Sequence, residues 1–374
     1  MLDGEVTIRA GERSISGWTQ VRITRSIEQV PNTFEVGFTT ERSGPGGTLL
    51  DEGSPVQVMI GESVVVTGYA DVVRSTSDAG SHELVIAGRG KCQDLVDCAA
   101  EWPTAYIGST SITDVARKLC QPYGIPVVPP PQPGPDLPFF DVTLIETPWT
   151  LIEEMARSCQ VLVFEDQAGN LVFDNVGEDV AASGFTEGVN AKQITVTRST
   201  SDRYSEYLGF AYSTRMLQDL GEDLNVRARA EDTGLPKRSD GQPRHRRRAL
   251  VVEAPSGLDR GDVGARRVAW EQTRRAGRSR QALVTVEGWR DKAGQLWTPN
   301  YRAPLSLPSH DIDGVTWVIG DVTYIRDAEG TRTELLLMPA QAFATEPVQL
   351  GSAIGDILRE LESGTTDDGE AAKG

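Results

Sequence analysis

Apolar and polar residues alternate with a period of two through most of the first quarter of the chain. Val21-Arg-Ile23, Phe34-Glu-Val36-Gly-Phe38 and Val56-Gln-Val58 each place apolar side chains on one face of an extended segment and polar ones on the other. Val64 to Arg74 and Glu83 to Ala87 read as a hairpin about Asp78-Ala79-Gly80, and Ser43-Gly-Pro-Gly-Gly47 as a turn-rich break. Short strands at this spacing predict a small antiparallel barrel or sandwich over residues 1–91.

The pattern then shifts to a helical one. Ser111 with Asp114 forms a capping box in which Asp replaces the usual Glu; Ile112, Val115, Ala116 and Leu119 make an apolar stripe, and Gly124 ends the helix. Pro126 to Pro138 holds seven prolines and reads as an extended crossing loop. Thr147 before Pro148 starts a second helix that continues through Leu151, Ile152 and Met155 to about Cys159. Val161 to Phe164 and Leu171 to Phe173 form a hairpin about Ala168-Gly-Asn170. Residues 92–180 are thus an α+β insert.

Strands resume at Ile194. A polar stretch over 228–248 reads as a mobile basic loop or arm, residues 258–280 as an Arg-rich helix, and Leu283 to Met338 as strands again. One internal comparison organises the whole. Gly68, Val72-Val73-Arg74, Asp78-Ala79, Gly80 and Glu83-Leu84 recur as Gly320, Tyr324-Ile325-Arg326, Asp327-Ala328, Gly330 and Glu334-Leu335, each copy preceded by a Pro-led strand at Pro55 and Pro304. The fold class read from this is mainly β with an α+β insert. It comprises a first β-barrel (1–91), the insert (92–180), a related second barrel (181–227 with 281–345), a peripheral basic loop and helix (228–280), and a short amphipathic helix with an acidic tail (346–374).

Charge sharpens this picture. The chain of 374 residues carries a formal net charge of −17, which argues against simple DNA or anionic-membrane binding. The balance is uneven: residues 203–302 hold 20 basic and 13 acidic residues. Oppositely charged regions in one chain suit packing against copies or partners. The four cysteines, Cys92, Cys98, Cys120 and Cys159, match no zinc spacing and read as free thiols of a reducing compartment. The first residues, Met-Leu-Asp-Gly-Glu, lack a basic start and an apolar core, and no apolar run nears the roughly 18 residues that cross a membrane. Synthesis in the cytoplasm is the expectation.

The search for chemistry yields little. The three histidines, His82, His245 and His310, fall in no metal or hydrolase motif. Gly88-Arg-Gly90-Lys91 is not a phosphate loop, because Val85 and Cys92 hold the places of the earlier glycine and the following Ser or Thr. Glu153 and Glu154 diverge on a helix, and Asp311-Ile-Asp313-Gly314 reads as a turn. No catalytic residue, metal ligand or cofactor-binding residue is expected. Two interaction candidates stand out instead: the cluster Arg244, Arg246, Arg247 and Arg248, favoured for a protein partner, and the stripe Ile354, Ile357, Leu358 and Leu361 of a helix too short to be stable alone.

Longer motifs carry a resemblance. Gly17-Trp18-Thr19, Thr24-Arg25-Ser26-Ile27-Glu28, Phe34-Glu35, Thr67-Gly68-Tyr69 with Asp71, and Ala87-Gly88-Arg89 resemble the Mu-type tail baseplate hub proteins of contractile phages. Asp97-Cys98-Ala99-Ala100, Leu119-Cys120, Pro122-Tyr123-Gly124, Arg203, Ser205-Glu206-Tyr207 and Gly294-Gln295-Leu296-Trp297 with Pro299-Asn300 extend it to about residue 345. The resemblance implies a homotrimer whose six tube-like barrels make a pseudo-hexameric ring, joining the hexameric tail tube to the trimeric central spike. Its implied partners are the spike protein, tail tube or tube-initiator proteins and baseplate wedge proteins, with DNA only in passage through the channel and no stable membrane association. Such hubs bring no catalytic residues to carry over. A carbohydrate- or receptor-binding β-protein of a tail tip is the alternative, and a wall-degrading enzyme a further one that lacks an acid and nucleophile pair.

Overall fold

The computed structural model describes residues 4–41, 50–77, 81–104, 106–134, 136–137, 140–142, 145–213, 228–254 and 260–347. The Ser43–Gly47 break, the Asp78–Gly80 turn and the Ile354–Leu361 stripe lie outside them.

The alternating segments form strands as expected: β1 (Val6–Ala10), β2 (Arg13–Ile15), β3 (Gln20–Ser26), β4 (Thr33–Glu41), β5 (Pro55–Ile60), β6 (Ser63–Ser77) and β7 (Ser81–Gly90). After the insert come β13 (Phe185–Thr186), β14 (Ala191–Arg198), β18 (Arg280–Glu287), β19 (Arg302–Leu307), β20 (Ile312–Asp327) and β21 (Gly330–Met338). These thirteen strands belong to one sheet. The first group runs β3-β4-β7-β6-β5-β1-β2. The second runs β14-β18-β21-β20, with β19 beside β20 and β13 beside β19.

The two groups repeat one another. β5-β6-β7 and β19-β20-β21 are both meanders about a long bent middle strand, of 15 residues in β6 and 16 in β20. Each middle strand carries a bulge, at Asp71 and at Gly320. β4 flanks β7 as β18 flanks β21, and β3 flanks β4 as β14 flanks β18, whereas β1 runs antiparallel to β5 and β13 parallel to β19. The repeat therefore covers five strands; its bulges match Asp71 with Gly320, so Arg74 stands at the place of Thr323, and the match of Gly68 with Gly320 read from the sequence is shifted by three residues. The two units join where β20 pairs with β3, from Asp321 opposite Ser26 to Arg326 opposite Val21. Ile8, Ile23, Val36, Ile86, Val284, Val322, Tyr324 and Leu335 contribute to one buried core that spans both units. Burying an aliphatic or aromatic side chain of this size is worth about 1.5–3 kcal/mol.

The insert has its own core. α1 (Gln93–Asp97), α2 (Ile112–Cys120) and α3 (Pro148–Cys159) pack with β11 (Leu162–Glu165) and β12 (Leu171–Asp174) around Leu95, Val115, Leu119, Ile152, Met155 and Phe173. The Ser111 hydroxyl accepts the Asp114 amide and the Thr147 hydroxyl accepts that of Thr150. Both helices thus start where their caps predict. The proline-rich stretch is more ordered than an isolated crossing loop. β9 (Val127–Val128) lies parallel to β12, and Leu137 bridges Thr110. A small pair, β8 (Tyr106–Ile107) with β10 (Phe140–Asp141), completes the insert.

The basic region departs from the sequence reading. β15 (Glu206–Ser213), expected within the second barrel, leaves the large sheet and stands between β16 (Ala228–Glu231) and β17 (Arg247–Ala254). Strands therefore occupy both ends of the stretch read as a loop over 228–248. Their core of Tyr207, Ala228 and Leu250 closes on Val268 of α4 (Arg260–Arg278). The physical reason is pairing partner choice: β15 finds eight residues of unbroken parallel register with β17, from Glu206 opposite Arg247 to Ser213 opposite Ala254.

Candidate assembly surfaces

Three polar joints fix the parts relative to one another. At the first, Glu165 on β11 sits between the insert and the first unit. Its carboxylate accepts the Asn32 amide at 2.7 Å and the Cys92 amide at 2.9 Å, and the Asn32 side chain donates back to the Glu165 carbonyl at 3.1 Å. Burial pushes this carboxyl up to about 7 against the pull of those two amides. At the second joint, Asn300 adopts a left-handed backbone (φ 68). Its side-chain oxygen accepts the Gly177 amide at 2.8 Å, and its nitrogen donates to Asp174 at 3.0 Å and to the Asn175 carbonyl at 2.9 Å. Between these joints Ile27, Leu162, Phe164, Val318, Met338 and Phe343 form an apolar contact that seats the insert on the seam of both units.

The third joint is α4 and the strap that follows β21. Arg274 and Arg278 donate to the Ala342 carbonyl and hold Glu28, Trp270 donates to the Ala344 carbonyl at 2.8 Å, and Arg267 pairs with Glu346. Behind the helix, Arg203 and Asp232 make a buried pair, with two bonds of 2.6 and 2.7 Å.

Of the predicted Arg cluster, Arg247 and Arg248 lie in β17 and Arg244 and Arg246 just before it, and most of it is engaged within the chain. Arg246 donates to the Thr200 and Ser201 carbonyls at 2.5 and 2.7 Å and stacks over Tyr204. Arg247 bonds Glu206 at 2.5 Å, and Arg248 bonds the buried Glu271 at 2.9 Å. Arg244 is exposed and has no side-chain partner among the described residues. The sequence reading missed Glu165 and Asn300. Glu165 had a signal: an acidic residue closing an otherwise apolar strand, opposite a Gly88-x-Gly90 exit. Among the described residues no group of His, Cys, Asp and Glu is placed to hold a metal, and no helix is long and apolar enough to cross a membrane.

Among the described residues β2, β13 and β14 each pair on one side only, and so does the far half of β6. β14 pairs only with β18. β6 meets β5 as far as Tyr69 and β7 from Gly68 onward, so the side of Val72–Ser77 turned away from β7 is unpaired. Val72 on this stretch is 45% exposed. In the second unit the equivalent stretch of β20 is covered by β3.

Known proteins resemble this chain in sequence and fold. The Mu phage baseplate assembly protein GpP-like N-terminal model matches residues 5–90, the baseplate hub protein gp44-like second-domain model 92–175, and the GpP fourth-domain model 262–346. Baseplate hub protein gp44 of Escherichia phage Mu is 31% identical over 348 residues, covering 91% of this chain and 89% of that one. The chain belongs to the Mu-type baseplate hub family. A baseplate hub role in a phage tail follows. Among solved structures, the 43 kDa tail protein of prophage MuSo2 from Shewanella oneidensis superposes with a TM-score of 0.80 at 25% identity, covering 91% of this hub chain and 99% of that protein. A tail protein from Neisseria meningitidis shares the fold at a TM-score of 0.72 and 22% identity, covering 92% and 99%. A more distant fold relative is the E. coli c3393 protein, a type VI secretion component, at a TM-score of 0.56 and 8% identity, covering 89% and 76%.

Proposed function

We propose that three copies of this hub close into a ring at the centre of a contractile-tail baseplate, a non-enzymatic adaptor between a hexameric tail tube and a trimeric spike. The observation that carries this is the β20–β3 seam together with its two vacant counterparts. Within one chain the second unit's long strand pairs with the first strand of the first unit. The repeat maps β20 onto β6 and β3 onto β14. Both of those strands have an open edge, and an open edge in a β protein is stabilised by pairing. Repeating the seam between copies joins β6 of one to β14 of the next. Two units per chain and three chains then give six similar units around one axis.

The seam's register carries over as Val73 opposite Arg198, Arg74 opposite Thr197 and Ser75 opposite Val196 of the neighbour. Arg74 and Thr197 take the places of Thr323 and Thr24, whose hydroxyls lie 3.2 Å apart in the seam. The c3393 protein is described as structurally similar to T4 tail proteins gp27 and gp5, which supports a spike as the partner below the ring. The tail tube or a tube initiator sits above and wedge proteins lie outside. DNA passes through a channel of a strongly acidic chain without being held, and the hub assembles in the host cytoplasm before joining the virion.

The test combines mass and a covalent link. Light scattering of the full chain reads three copies per particle. Oxidation of the double variant Arg74→Cys with Thr197→Cys then links chains into covalent trimers, because directly opposed residues lie within disulfide reach. Each single variant is the control for the four native thiols. A monomer at high concentration, or the absence of a link specific to the double variant, sinks the proposal.

A further inference from the structure

The largest cavity of the molecule, about 870 Å³, opens at one end of the second unit beside α4. The internal repeat gives it a counterpart. With the bulges at Asp71 and Gly320 matched, the strand pairings carry Arg25 onto Arg198, Asn32 onto Arg280, Thr67 onto Thr316 and Lys91 onto Ala340. All four second-unit residues line the cavity. In the first unit this place is a filled socket, entered by the turn between β11 and β12 of the insert. The Gln167 side chain accepts from Arg25 at 3.0 Å, its carbonyl accepts from the Thr67 hydroxyl at 3.0 Å, and Glu165 accepts the Asn32 amide at 2.7 Å. A Cβ on Gly169 would come within 2.9 Å of the Thr67 carbonyl and 3.0 Å of the Lys91 side chain. A close-fitting turn of acidic and amide side chains thus meets a buried cation, Arg25, which is 5% exposed.

In the second unit the same place is open and more cationic. Arg198 lies 3.4 Å from Asp311. Arg280 and the neighbouring Arg302 are exposed, and neither meets a carboxylate among the described residues. Val315 and Trp317 supply apolar wall, and Val315 is 37% exposed. The chemistry that fits presents carboxylates and apolar side chains together. The order of the chain offers such a segment. The insert follows β7, and the strap with residues 348–374 follows β21. Pro339, Ala340 and Gln341 of the strap line the cavity, and Glu346 near its described end pairs with Arg267. The helix from Arg267 to Gly277, another lining residue, is about 15 Å long. Residues 348–354 can span about 23 Å, enough to turn back. Residues 348–374 hold six acidic residues against two basic ones, and Asp356, Glu360 and Glu362 interleave the stripe Ile354, Ile357, Leu358 and Leu361.

We infer that the cleft is a second socket and that the acidic segment 354–362 of the same chain plugs it. Its Ile and Leu side chains lie against Val315 and Trp317, and its carboxylates meet Arg280 and Arg302. Each β unit is then closed at this end by the piece of chain that follows its last strand. The contact lies within one chain and needs no ring.

Carbodiimide coupling of the full-length double variant Arg280→Lys with Arg302→Lys tests the contact, on a mixture of isotope-labelled and unlabelled chains. The expected result is amide links from the introduced amines to Asp356, Glu360 or Glu362, always within one chain. Links between chains, links to carboxylates elsewhere alone, or no link at all overturn it. In parallel, the full-length variant Leu358→Asp with Leu361→Asp is expected to speed amide exchange over residues 315–317 about tenfold or more. Arg280→Glu with Arg302→Glu should do the same, and adding Glu360→Lys with Glu362→Lys to that variant should restore the protection. Exchange that none of these changes alters overturns the plug.

Discussion

The carboxylate of Glu165 occupies the space into which any side chain on Gly90 would grow. This pair fixes where the first unit ends and the insert begins. Glu165 is 2% exposed and pinned by two backbone amides, so it cannot swing aside as a surface glutamate would. Gly90→Ala is expected to cost about 2–4 kcal/mol, read as a lower denaturant midpoint with an unchanged slope. A loss under about 0.5 kcal/mol contradicts the tight joint.

The same carboxylate predicts a pH dependence. Its folded pKa of about 7 lies above the unfolded value of 4.5. Between these values the folded state binds more protons, so this group's contribution to stability is fully present below pH 4.5 and is lost as pH rises to 7. The loss is on the order of 3 kcal/mol. Thermal unfolding of the native chain and of Glu165→Gln across pH 4.5–8 should differ by that slope. Parallel profiles exclude Glu165 as its source.

Asn300 clasps the insert's exit through three hydrogen bonds from a left-handed backbone. Asn300→Ala loses the clasp and adds backbone strain. Asn300→Gly loses the clasp alone. Expected losses are about 3 kcal/mol and about 2 kcal/mol, in that order. Amide exchange at Gly177 should accelerate in both, and protection unchanged from the native chain refutes the clasp.

Gly68 and Gly320 predict unequal costs. A Cβ on Gly68 would overlap the backbone carbonyl of Arg89, which cannot yield without breaking the sheet. One on Gly320 would come within 2.8 Å of the Phe343 ring, a side chain at the start of the strap. Gly68→Ala is therefore expected to prevent folding or to cost about 4 kcal/mol or more. Gly320→Ala costs about 1–3 kcal/mol and loosens the strap. Melting temperatures in the reverse order contradict this account.

Arg203 and Asp232 form a buried pair behind α4. Arg203→Ala leaves an unpaired buried carboxylate and is expected to cost about 3–5 kcal/mol, whereas Arg203→Met with Asp232→Leu recovers much of it. Equal losses in the two variants refute that reading.

Alternating and helical periods determined most elements of this chain by themselves. The reason is that local burial of one face needs only the right residues at spacing two or about 3.6. The caps at Ser111 and Thr147, and the presence of a hairpin after each Pro-led strand, were legible for the same reason: each is built within a few neighbouring residues. Pairing partners were not. Periodicity says that Glu206–Ser213 is extended, yet only the fold decides that it pairs with Arg247–Ala254 and not with the large sheet. The Arg246–Arg248 run looked like an outward basic patch, because its partners Thr200, Glu206 and Glu271 lie over 20 residues away in sequence. Glu165, Asn32 and Cys92, and the β20–β3 seam with its two open counterparts, likewise join distant segments. Such contacts depend on which surfaces the folded chain brings together, and no local pattern records that.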